Sequence, residues 1–141
     1  MAKPKFLYHG SMTKIRGELK PRKAGGVGEE KYKMNAVYAS QSRDCALVFA
    51  LPIVPDKKTG KMSWHGLPLT AEGKPRIVIE EGRLDTSKPM YLYKVPADSF
   101  KRIDKYEWAS EKPVKPVECI KVDPNEYKHW VVKAPKPNKQ A

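Results

Sequence analysis

The chain has 141 residues, enough for one domain with a sizeable core, and 40% of them are hydrophobic. Lys and Arg number 28 against 16 Asp and Glu, a formal net charge of +12. That charge suits a polyanionic partner, nucleic acid ahead of an anionic membrane, or else only a lysine-rich surface on a small bacterial or phage protein. No apolar run is long enough to cross a membrane, and the charged start Met1-Ala2-Lys3-Pro4-Lys5 leads into too few apolar residues for a secretory signal. Cys45 and Cys119 have no metal-ligand spacing and sit in apolar patterns, so both are expected to be buried free thiols in a reducing cytoplasm, and no metal site is expected.

Residues 5–9 read as a strand feeding the triplet His9-Gly10-Ser11. Leu19-Lys20-Pro21-Arg22 should lie extended, and Gly25-Gly26-Val27-Gly28 reads as a mobile loop, since it follows no strand and lacks phosphate-loop spacing. Residues 36–40 form a second strand. Gln41 or Ser42 can start a helix with Asp44 in its first turn. Cys45, Ala46, Val48, Phe49 and Ala50 predict that this helix is buried, and Pro52 and Pro55 end it. Asp56 to Gly73 reads as an exposed hairpin or insertion. It carries Lys57, Lys58 and Lys61, with Trp64 able either to stack on a base or to cover a core edge.

Arg76–Glu80 is a third strand and Tyr91–Val95 a fourth, with Tyr91, Tyr93 and Val95 on one face and Leu92 and Lys94 on the other. Phe100 and Ile103 pack the next turn. A last strand runs towards Val122 and starts at a sheet edge, because Pro113 and Pro116 cannot donate to a ladder. Asp123-Pro124-Asn125-Glu126 has the order of a helix start, leading into one short turn through Tyr127 and Trp130. Residues 1–133 are expected to form a single domain, and 134–141 a disordered basic tail. Short strands, long polar connections and few helices predict an α+β fold around a split, mostly antiparallel sheet.

Tyr8-His9-Gly10-Ser11, Val37-Tyr38-Ala39-Ser40 and the apolar run Cys45–Ala50 together resemble the ADP-ribosyltransferase superfamily. The similarity is to its His-Tyr branch, which holds poly(ADP-ribose) polymerase-like domains, rifampin ADP-ribosyltransferases and tRNA 2′-phosphotransferases. It covers about residues 5–50. The resemblance implies nicotinamide adenine dinucleotide (NAD) as co-substrate. In that reading His9 hydrogen-bonds a ribose hydroxyl of the adenosine half, the Gly10 backbone pairs with the nicotinamide amide, and Tyr38 stacks on the nicotinamide ring. Ser11 and Ser40 are polar neighbours. A carboxylate, Glu107 or Glu111 with Asp104 behind them, would steady the cationic transition state. No Gln-x-Glu or Glu-x-Glu precedes an unbroken apolar strand, so the choice between the two stays open.

The fold implied is the ADP-ribosyltransferase one, and the expected acceptor is a nucleic acid or a protein bound to one, with the enzyme a monomer. Two other readings stand beside it. One is RNA 2′-phosphate transfer to the dinucleotide, with Arg16, Arg22 and Arg43 gripping the phosphate. The other is a nonenzymatic basic module that binds nucleic acid through Lys57, Lys58, Lys61 and Trp64. His65 and His129 show no partner in the sequence.

Overall fold

The computed structural model describes residues 3–23, 35–67 and 75–134. The Gly25–Gly28 loop and nearly all of the expected tail lie outside the described residues. Three strands make the central sheet: β1 (Phe6–Ser11), β8 (Met90–Pro96) and β11 (Glu118–Val122), in the order β1-β8-β11 and antiparallel throughout. A second antiparallel sheet has the order β2-β3-β10-β9, from Arg22–Lys23, Asn35–Ala39, Trp108–Ser110 and Lys101–Arg102. The third sheet is β12-β6-β5, from Val131–Lys133, Arg76–Glu81 and Ser63–Leu67, and β4 (Ile53–Val54) pairs with β7 (Arg83–Leu84). The fold is therefore mostly antiparallel β with few short helices. The pairing of β12 with β6 is parallel.

β8 holds this arrangement together because both of its faces are covered. Tyr93 and Val95 join Leu7, Val37, Phe100 and Trp108 in one hydrophobic cluster, with Tyr91 packed at its edge. Met90 and Leu92 point the other way, into a cluster with Leu47, Val48, Ile77, Ile79 and Trp130. Period-two alternation along one strand thus feeds two cores, as the sequence predicts for Tyr91, Tyr93 and Val95 against Leu92. Each fully buried aliphatic side chain here contributes roughly 1.5–3 kcal/mol.

The short α1 (Arg43–Val48) lies on the second face. Ser42 caps it by accepting from the Cys45 N–H at 3.2 Å, and Asp44 favours the positive end of its dipole. Cys45 through Val48 are all buried, as expected. Phe49 is not: it sits at the C-cap, 47% exposed, because the helix stops well before Pro52. Gly10 makes the close approach of α1 to β1 possible. A Cβ there would lie 2.0 Å from the carbonyl oxygen of Ala46 and 3.0 Å from the Ala50 methyl. Glycine is therefore needed at this position by packing, whatever its backbone does for a ligand.

Ser63–Leu67 forms a hairpin with β6, one of the two forms expected of Asp56 to Gly73, and Trp64 packs against the core edge. Two further expectations need correction. His65 has a partner after all, Glu80, at 2.8 Å. Cys119 is exposed on the edge strand β11, while Cys45 is buried; both are free thiols. The Asp123 cap is observed, accepting from Asn125 N–H at 2.9 Å, and the turn it starts is a 3₁₀ helix over Pro124–Trp130. Among the described residues no helix is long and apolar enough to cross a membrane.

Gly10→Ala should destabilise the protein by roughly 3 kcal/mol or more, because the intruding methyl meets helix backbone rather than a side chain that can turn away. Urea denaturation measures this. A loss under about 0.5 kcal/mol would show that α1 does not press on β1 as described.

Candidate functional site

Strands β1 and β3 start as neighbours and then separate. Tyr8 and Ser40 exchange both backbone hydrogen bonds, at 2.7 and 2.8 Å. A continued antiparallel ladder would next pair Gly10 with Tyr38. Instead the His9 side chain enters the opening, and its Nδ1 lies 2.6 Å from the Tyr38 carbonyl oxygen. A carbonyl can only accept, so Nδ1 carries the proton and donates. Nε2 is then the acceptor nitrogen of a neutral ring. Burial holds the His9 pKa below its ordinary 6.5 even though the Tyr38 hydrogen bond raises it, and the positive charge of Arg22 adds to the lowering, so the neutral form prevails at physiological pH. By strand alternation the Gly10 N–H and C=O point to the same side as those of Tyr8, away from β8 and towards the gap.

The gap opens into a cavity of about 350 Å³ lined by His9, Ser11, Ile15, Arg16, Glu18, Leu19, Lys20, Arg22, Ala36, Val37 and Tyr38. Its far wall is the strap between β1 and β2, pinned at two places. The Ile15 N–H donates to the Tyr93 hydroxyl at 2.5 Å, and Leu19 forms a backbone bridge with Val114. The Tyr93 ring also backs the imidazole, 6.3 Å from centroid to centroid. The wall therefore presents two arginines and a lysine, a carboxylate, a hydroxyl, a tyrosine and an imidazole. Such a set suits a ligand that carries both hydroxyls and negative charge.

Of the residues expected at the site, His9, Ser11 and Tyr38 line the cavity and Gly10 does not. Ser40 is close by but serves the helix instead. It is buried, and its Oγ accepts from the Ser42 N–H at 3.1 Å, which sets up the start of α1. Neither Glu107 nor Glu111 lines the cavity. The carboxylate that does is Glu18, which the sequence does not single out because it lies in a stretch with little periodicity. Lys20, which the sequence places only in an extended segment, lines the wall too. The loop lysines Lys57, Lys58 and Lys61 are exposed around a turn that Asp56 organises by accepting from the N–H groups of Lys58 and Thr59 at 2.8 and 3.0 Å. Among the described residues no cluster of His, Cys, Asp and Glu could hold a metal ion.

Glu107 has unusual chemistry of its own. It sits where the β9–β10 hairpin closes, its N–H donating to Asp104 Oδ1 at 2.7 Å and its carbonyl accepting from Ile103 at 2.9 Å. Burial, with the nearby negative charge of Asp104, raises its carboxyl pKa from 4.5 to about 7.

Folding therefore favours the protonated form, a benefit complete below pH 4.5 and lost as pH rises through about 7. Glu107→Gln, which cannot ionise, should match wild-type stability near pH 4 and exceed it near pH 8 by on the order of 2 kcal/mol, allowing for partial exposure. Paired denaturation curves across that range measure the difference. A gap that stays constant with pH would mean that Glu107 titrates normally. In comparison with known proteins the chain matches no family model, no curated protein and no solved structure.

Proposed function

We propose that this protein is an NAD-dependent ADP-ribosyltransferase with an ADP-ribosyltransferase-like fold, acting on a nucleic acid or a protein bound to one. The observation that carries the reading is His9, fixed by its Nδ1–H on the Tyr38 carbonyl inside the β1–β3 opening. That bond leaves Nε2 as an acceptor for a ribose hydroxyl, which a protonated imidazole cannot be. Gly10 turns backbone groups towards the same gap, where the nicotinamide amide would pair. Tyr38 lines the same wall and is the stacking partner this reading assigns to the nicotinamide, and Arg16, Lys20 and Arg22 lend positive charge for a pyrophosphate.

The carboxylate that steadies the cationic ribose is Glu18 or Glu107. Glu18 has the better position because it lines the cavity, whereas Glu107 has the raised pKa. Substituting each by Gln separates them, since only the functional one should lose turnover while dinucleotide binding persists. If Glu107 is the group and must be ionised, activity should also rise with pH through about 7.

Incubation with radiolabelled NAD and DNA, RNA or cell extract tests the reading. Label should move to an acceptor, or nicotinamide should be released, and His9→Ala and Tyr38→Ala should each cut the rate by about 100-fold or more while the domain stays folded. Absence of transfer, of hydrolysis and of saturable dinucleotide binding would defeat it.

Arg16 and Arg22 on the same wall also favour RNA 2′-phosphate transfer as a second reaction. That reading requires a 2′-phosphorylated oligonucleotide to lose its phosphate only when the dinucleotide is present.

A further inference from the structure

The side of the central sheet away from the cavity carries a feature that the proposed reaction does not use. Phe6 and Tyr8, two residues apart on β1, project to the same face, the one that α1 only partly covers. Their neighbours on that face are Pro96 and Lys94 of β8, and beyond Lys94 comes Glu118 of β11. Phe6 and Tyr8 are both partly buried, Tyr8 packing against the core cluster, and cations stand by each. The Lys94 ammonium stands 4.6 Å from the Phe6 ring centroid and that of Lys5 5.6 Å, while the Arg43 guanidinium stands 5.8 Å from the Tyr8 ring. Lys94 faces Glu118 across the strand pair, yet its ammonium lies over the aromatic ring.

We propose that this face binds single-stranded nucleic acid, with bases stacking on Phe6 and Tyr8 and phosphates held by Lys5, Lys94 and Arg43. The chemistry fits in three respects. First, aromatic rings on a sheet face offer stacking that any base can use, and the flanking cations pair with phosphates. Second, rings at alternate strand positions stand about 6.6 Å apart along β1, roughly twice the ~3.4 Å rise per base of a duplex. They therefore fit bases that have been splayed from one another better than a stacked double helix. Third, Lys5, Lys94 and Arg43 are flexible side chains resting on aromatic faces, so they can swing to phosphates as bases take over the rings. The net charge of +12 complements such a ligand.

This site is on the opposite face of β1 from His9 and stands whether or not the cavity turns over a dinucleotide. The test is fluorescence anisotropy of the full chain with labelled oligouridylate and oligothymidylate of about 12 nucleotides, at several salt concentrations and against unlabelled duplex. The RNA and DNA arms show which sugar is preferred. Tyr8→Leu and Phe6→Leu keep the apolar packing and remove the rings; each should weaken binding by about tenfold. Lys94→Gln and Arg43→Gln should each lower the slope of log affinity against log salt by about 0.7. Lys57→Gln/Lys58→Gln/Lys61→Gln in the loop should leave the ring dependence intact. Wild-type affinity in both Leu variants, equal competition by duplex, or no binding at low salt would each overturn the proposal.

Discussion

One backbone pairing and its interruption set the layout of this protein. The Tyr8–Ser40 bridge joins the central sheet to the second one, and one step further the two strands no longer pair as a ladder. Parting strands leave polar backbone groups facing a gap, and such groups are costly to bury unpaired. The His9 imidazole meets that requirement on the β3 side by donating to the Tyr38 carbonyl. The same bond fixes the ring's tautomer, and burial with Arg22 nearby keeps it neutral. A structural demand, satisfying a carbonyl at a split, thereby prepares a ring nitrogen to accept a hydrogen bond.

What keeps the split open is packing on both sides of it. Ala46 of α1 and Ala50 just beyond its end press on Gly10 from one face, while the strap is held from the other by Tyr93 and by the Leu19–Val114 bridge. Tyr93 has a double role, since its ring belongs to the buried cluster and its hydroxyl reaches the strap backbone at Ile15. The cavity is thus bounded by elements anchored in a core rather than by a free loop, which favours a preorganised site.

Much of this is legible in the sequence where residue chemistry is local. Alternation in Tyr91–Val95 announces a strand and sorts its side chains onto two faces, Ser42 and Asp44 announce a helix start, and Asp123-Pro124 announces a capped turn. Two kinds of feature are hidden. Exposure at the ends of short elements is one: Phe49 and Cys119 sit in apolar patterns, yet one lies at a C-cap and the other on an edge strand. Long-range pairing is the other. Nothing in the local pattern around Glu18 says that it shares a wall with His9 and Tyr38, because chain crossings distant in sequence decide it. The short β12, parallel to β6, is hidden for the same reason. Glu107 stands out in the sequence for its aromatic flanks, but its raised pKa depends on burial and on Asp104 in the folded hairpin.

The cavity and the aromatic face sit back to back on β1, one built around an imidazole and the other around two rings with their cations. Both depend on β1 keeping its register with β8 and its bridge to β3. The state of His9 reports on that arrangement most directly. Nitrogen-15 NMR of the imidazole across a pH titration should give an Nδ1–H tautomer at neutral pH and a titration midpoint below 6.5. An Nε2–H tautomer would contradict the His9–Tyr38 bond, and a midpoint at or above 6.5 would contradict the burial that keeps the ring neutral.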